Sequence, residues 1–230
     1  MERAPVAMTT TAGGGGKGRE NYPFCVLVES MGSNSEHDSD KMSTFLDRAM
    51  NEGLVTDGAL SHTTTQVRDM WSVREGCNPA VRDFGSWYNY KYDLSLPPHK
   101  YYSIVEEVRE RLLPLNSGAV CANWGHVADG NLHLNVALPR SYNDDIDDDD
   151  DYDDRKATTI DAVRKVLEPF VYQFTYDCGG SISAEHGLGR EKNRYVGSYT
   201  RGGTLGLDIM RSVKESFDPR GIMNPGKYLP

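Results

Sequence analysis

Apolar side chains along this chain switch between strand-like and helical spacing, and the switches mark its elements. In residues 22–30, Phe24, Val26 and Val28 alternate with Cys25 and Leu27, an almost continuous apolar run that predicts a central β-strand. Over 38–51, Met42, Phe45, Leu46, Ala49 and Met50 recur at helical spacing, and Gly53 stands where a helix stop belongs. Val67, Met70, Trp71 and Arg74 keep helical register through the first part of 64–81. A tyrosine-rich strand is expected over 88–96, ended by Pro97-Pro98, and then a helix over 99–113 through Ile104, Val105, Val108, Leu112 and Leu113. Apolar strands over 119–126 and 132–138 flank the turn signature Ala128-Asp129-Gly130-Asn131. Further helices are expected over 155–176 and 205–217, with a short strand or turn over 179–184 and a turn-rich tail from Asp218 onward. Helices interleaved with strands around a hairpin predict an α+β fold, an antiparallel sheet with helices packed mainly on one face.

Composition adjusts this picture in a few places. At 230 residues and 38% hydrophobic content, one domain is expected. Residues 1–20, with Thr9-Thr10-Thr11 and four glycines at 13–16, carry too little apolar surface to repay ordering, so a flexible lead-in is expected before a domain over 21–230. Residues 143–154 form an aspartate run interrupted by Ile146 and Tyr152, expected as a self-repelling solvated insertion rather than a calcium loop, because EF-hand glycine spacing is missing. The net charge of -9 argues against a nucleic-acid footprint, which needs a concentrated basic face. Cys25, Cys77, Cys121 and Cys178 form no CxxC pair and point to reduced thiols. No apolar run approaches the roughly 20 residues of a membrane span, and no signal-peptide core is present.

The sharpest local chemistry lies in Gly125-His126-Val127-Ala128-Asp129-Gly130-Asn131-Leu132-His133. If Asp129-Gly130 is a two-residue turn, His126 lies directly opposite His133, and the two imidazoles share a sheet face close enough to grip one metal ion. The segment Ser181-Ile182-Ser183-Ala184-Glu185-His186-Gly187-Leu188-Gly189 offers a third ligand between small residues. Two imidazoles and a carboxylate with open positions suit a catalytic site, with zinc the first expectation and manganese or another divalent ion the alternative.

At these residues the chain resembles the C-terminal domain of the flavin-linked oxidases that act on D-2-hydroxy acids. Three blocks carry the resemblance: Gly125-His126 through Asp129-Gly130-Asn131-Leu132-His133, then Ser183-Ala184-Glu185-His186-Gly187, and Asp218-Pro219 through Asn224-Pro225-Gly226-Lys227. Earlier stretches look most like the branch acting on D-2-hydroxyglutarate, notably Tyr22-Pro23-Phe24, Gly53-Leu54-Val55-Thr56-Asp57-Gly58, Trp71 through Arg74-Glu75, and Tyr90-Lys91-Tyr92-Asp93-Leu94-Ser95-Leu96-Pro97.

The resemblance implies an elaborated ferredoxin-like FAD-linked oxidase C-terminal fold and a reaction that oxidises D-2-hydroxyglutarate to 2-oxoglutarate with FAD. It implies metal ligation by His126, His133 and Glu185, a catalytic base in His186, and substrate contacts from Arg74, Lys91 and Asn135. Four residues after Arg74 the family uses a threonine where this chain has Asn78, a departure expected to retune recognition of the distal carboxylate. Glu185, His186 and Asn224 are implied to lie against the flavin. A flavin-binding domain precedes this one in the family, and nothing upstream of Tyr22 here would supply it, so the chain is expected to be inactive alone. The resemblance further implies a mitochondrial setting and an electron acceptor such as an electron-transfer flavoprotein. Two alternatives stay open: a dehydrogenase for D-lactate or another D-2-hydroxy acid, and a non-catalytic metal- or carboxylate-binding module.

Overall fold

A computed structural model of the chain describes residues 6–11, 24–83, 86–139 and 151–230. Its contacts divide into two compact units, Met1–Ala80 and Val81–Pro230.

The first unit contains a three-stranded antiparallel sheet in the order β2-β1-β3, built from β1 (Val6–Thr11), β2 (Phe24–Glu29) and β3 (Asp57–Leu60). β1 lies inside the stretch expected as a flexible lead-in, yet it pairs with both neighbours, Thr9 with Val26 and with Gly58. That places β2, expected as a central strand, at the sheet edge, where Phe24 and Val26 are 41% and 39% exposed. Helix α1 (Ser35–Asn51) buries Met42, Leu46 and Ala49, and its Asn34 cap accepts the His37 N–H at 3.1 Å. Helix α2 (Thr64–Glu75) starts with a reciprocal capping box between Thr63 and Gln66. The helix expected over the first part of 64–81 is α2, which ends at Gly76, and α3 (Cys77–Asp83) follows.

The second unit is built on the sheet β4-β6-β5, from β4 (Ser86–Ser95), β5 (Val120–His126) and β6 (Asn131–Pro139), antiparallel throughout. Because side chains alternate faces, Tyr92 and Leu94 join Leu132, Leu134 and Val136 on one side. This side packs against Ile104, Val105 and Val108 of α4 (Ser103–Leu112) and Val163, Leu167 and Val171 of α5 (Asp151–Asp177), all essentially inaccessible. Each such aliphatic residue contributes roughly 1.5–3 kcal/mol relative to exposure, so the sheet is anchored firmly from one face. The fold is α+β, an antiparallel sheet with helices on one face, and the opposite face is left to carry polar chemistry.

Two further helices complete the unit, α6 (Asn193–Tyr199), which the sequence pattern did not predict, and α7 (Gly203–Phe217). The segment expected as a short strand near 179–184 contributes a single bridge between Ser95 and Ser181. The acidic run falls largely outside the described residues. Its last four positions, 151–154, are the first turn of α5 rather than loop, a placement that suits aspartates because the helix N-terminus carries partial positive charge.

Candidate metal and acid–base site

The histidine hairpin has a different turn from the one expected. A one-turn 3-10 segment (Val127–Asp129) and Gly130 at φ 72 make a four-residue connection, closed by the Asn131 N–H donating to Asp129 Oδ1 at 3.1 Å. The short side-chain acceptor of Asp129 and the left-handed freedom of Gly130 favour this closure over a two-residue turn. The register is therefore offset by two, with His126 opposite Asn131 and Trp124 opposite His133. An even offset preserves the face. His126 and His133 still lie on one side of the sheet, as a diagonal pair with ring centroids 5.6 Å apart.

Glu185 meets them from the loop that follows the Ser95–Ser181 bridge. Its two carboxylate oxygens stand 3.6 Å from His126 Nε2 and 3.9 Å from His133 Nε2. These separations are too long for hydrogen bonds. They suit ligands around one ion, since two donors at about 2.1 Å from zinc at a tetrahedral angle lie about 3.4 Å apart. The three donor atoms all fall within 4.8 Å of one another, and two imidazoles with one carboxylate leave positions open for a substrate. The residues present therefore fit a divalent ion.

A second group, Asp93, His133 and His186, meets the same distance criterion. Asp93 nevertheless already accepts four hydrogen bonds. Its Oδ1 accepts the Asn131 side-chain amide at 2.6 Å, and its Oδ2 accepts the backbone N–H groups of Ala184, Glu185 and His186 at 3.1, 2.7 and 2.7 Å. A carboxylate offers about four lone-pair sites, two on each oxygen; three donors crowd Oδ2 and one reaches Oδ1. Burial alone would raise the Asp93 pKa, but the His186 N–H, the Asn131 amide and the Glu185 N–H outweigh it and hold the carboxyl below its ordinary range. Asp93 was quoted in the sequence motif without a role. An acid in the middle of an apolar strand is the signal that could have singled it out.

Asn135 is buried two residues beyond His133 on the same face, accepting from Asn89 Nδ2 at 3.3 Å and donating to the His133 carbonyl at 3.2 Å. Lys91 pairs directly with Asn135 across the ladder, two residues from Asp93. His186 is 63% exposed, with Nδ1 4.0 Å from Asp93 Oδ2 and its ring 5.7 Å from that of His133. A cavity of about 730 Å³ runs from His186 and Asp93 along β4 past Lys91 and Lys192. Asn224, at φ 50, begins the C-terminal turn. That turn is strapped to the residues after His186, the Tyr228 N–H donating to the Gly189 carbonyl at 2.9 Å and Asn193 Nδ2 to the Gly226 carbonyl at 3.1 Å.

His126, His133, Asn135, Lys91, Glu185 and His186 are thus gathered in the second unit. Arg74, half-buried in the last turn of α2, and Asn78, exposed on α3, belong to the first.

With this geometry in place, comparison with known proteins decides the family. The profile of the FAD linked oxidases, C-terminal domain, matches residues 3–228. This chain belongs to that family. The FAD linked oxidase domain described here is 39% identical over 208 residues to the mitochondrial D-2-hydroxyglutarate dehydrogenase of Danio rerio, covering 90% of this chain and 34% of the relative. It is 37% identical to a mitochondrial Schizosaccharomyces pombe protein with a provisional D-lactate dehydrogenase name, covering 91% and 38%. It is 34% identical to a D-2-hydroxyglutarate–pyruvate transhydrogenase of Saccharomyces cerevisiae, covering 90% and 39%. The chain spans little more than a third of the length of the curated relatives it matches.

Proposed function

We propose that this domain binds a divalent ion, zinc first, and a D-2-hydroxy acid, D-2-hydroxyglutarate first, as the substrate half of an FAD-dependent dehydrogenase. The observation that carries the reading is the convergence of His126, His133 and Glu185 on one point of the polar sheet face, beside an exposed imidazole. When bound, the ion would polarise the substrate hydroxyl and the flavin would supply a two-electron acceptor for the C2 hydride. The protein's own residues hold the acid and manage its proton. His186 takes the hydroxyl proton, a task suited to imidazole because its protonation changes near neutral pH. Asn135 hydrogen-bonds the substrate beside the metal ligands. Lys91 provides for a distal carboxylate, which favours a dicarboxylate over D-lactate. Glu185, His186 and the Asn224 turn form the side on which the flavin is received.

The names of the relatives support a mitochondrial setting, and a protein such as an electron-transfer flavoprotein would take the electrons onward. A binding module without redox activity is the competing reading, separated by assaying turnover of this domain together with a flavin-binding half. The first test is metal content of the purified chain. Stoichiometric zinc in the wild type, lost in His126→Ala and Glu185→Ala and held more tightly with D-2-hydroxyglutarate, is expected. A folded wild type that takes up no divalent metal would overturn the proposal.

A further inference from the structure

We propose that Asp93 is the positioning residue of this site: its buried carboxylate gathers three consecutive backbone N–H groups and so sets where Glu185 and His186 stand. The inference rests on the proposed metal site for its consequence, though the anchoring itself does not. Ala184, Glu185 and His186 all have exposed side chains and lie outside any helix or ladder. Yet their three N–H groups converge on one oxygen of a residue 6% exposed. Successive backbone N–H groups pointing into one concavity form an anion site, and here the anion is a side chain of the neighbouring strand.

The anchor is fixed from both directions. Asn131, the residue opposite His126, donates its side-chain amide to Asp93 Oδ1, and Asp93 itself pairs with His133 across the β4-β6 ladder. One carboxylate thus touches β6, the strand of His133, and the loop of the carboxylate ligand. The Ala184 N–H is also 3.2 Å from the Asp93 carbonyl, so the loop is held at strand and side chain together. With Oδ2 taken up by three loop donors, Asp93 acts through Glu185 and His186 rather than as a ligand. Outer contacts of this kind orient ligands, and losing one typically costs 10- to 100-fold in metal affinity.

The test uses the full 230-residue chain, Asp93→Asn, and Co2+ as a spectroscopic probe. The substitution keeps the side chain's size but removes the charge and leaves one oxygen where two served four donors. Co2+ affinity should fall about 10- to 100-fold with a changed visible absorption band. In metal-free protein, amide exchange at residues 184–186 should accelerate while the β4-β6 ladder amides remain protected. A purely structural loss would accelerate both sets. Equal Co2+ affinity in variant and wild type would overturn the inference. So would a ligand set in which His186→Ala abolishes Co2+ binding and His126→Ala leaves it intact. If the wild type binds no Co2+, the proposed function falls, and the exchange comparison alone decides the anchoring. If Asp93→Asn fails to fold, wild-type exchange still decides it: protection at 184–186 supports the anchor, and exchange as fast as in an unbonded loop removes it.

Discussion

Trp124 lies directly across the ladder from His133 and stacks on it, with ring centroids 6.4 Å apart and planes 14° from parallel. An indole of this size restricts the rotamers of the imidazole beneath it, and His133 is the more buried of the two histidines at 17% side-chain exposure, against 47% for His126. Trp124→Ala should therefore weaken metal retention by about tenfold, while Trp124→Phe keeps most of it. Because Trp124 is stacked on His133, a proposed ligand, Co2+ should quench wild-type fluorescence. Persistence of the same quenching in Trp124→Phe would assign the effect to Trp71 or Trp87 and remove the indole from the site.

The parts of this site readable from sequence are those that depend on parity or on local chemistry. The two-residue turn expected at Asp129-Gly130 is replaced by a four-residue connection, but the change shifts the pairing by two and leaves His126 and His133 on one face. An odd shift would have sent one of them into the core. The core face of β4 and β6 and the α4 stripe were legible for the same reason, since Leu132, Leu134 and Val136 and then Ile104, Val105 and Val108 follow the periods of strand and helix. Asp93 was not legible as an anchor, because its donors sit at 131 and 184–186 and only tertiary pairing brings them together. β1 was hidden for a related reason. Its threonines carry no apolar alternation, and both of its partners are distant in sequence.

Gly130 gives a direct test of the connection. Its φ is 72, and a Cβ there would stand 2.5 Å from the Leu96 carbonyl oxygen, the neighbour whose N–H donates to the Gly130 carbonyl at 2.8 Å. Gly130→Ala combines an unfavourable backbone region with a backbone collision and should cost about 2–3 kcal/mol. Chemical denaturation checks the value. Metal affinity should fall along with stability, because Asn131 and His133 follow immediately on the same strand. A variant as stable as wild type would show that the connection is not left-handed at this residue.

Lys91 separates the dicarboxylate reading from the monocarboxylate one. It pairs with Asn135 on the face that carries His133, and a charge-assisted contact to a carboxylate is about twice as strong as a neutral hydrogen bond. In metal-loaded protein, Lys91→Met should weaken D-2-hydroxyglutarate binding by about tenfold, equivalent to about 1.4 kcal/mol, and leave D-lactate binding unchanged. Calorimetric titration of both acids checks this. Equal losses for the two would move Lys91 to the shared C1 carboxylate and withdraw its support for a second one.

Asp218 gives the C-terminal strap a pH dependence whose sign follows from its contacts. The Lys214 ammonium, first among them, and the N–H groups of Met223 and Ile222 hold its carboxyl below the ordinary range. A carboxyl depressed by folding adds stability that is fully present above its unfolded value, about 3.9, and is lost as pH falls through the folded one. Asp218→Asn keeps an acceptor but removes the charge. The difference in melting temperature between wild type and Asp218→Asn should therefore be constant from neutral pH down to about 5 and shrink below about 4. Over the same range, protease cleavage within 222–229 should rise in the wild type toward the level of the variant. A difference independent of pH down to about 2.5, below the unfolded value, would mean that Asp218 steadies the turn by shape alone. The acid sensitivity of the segment that carries Asn224 would then have to come from elsewhere.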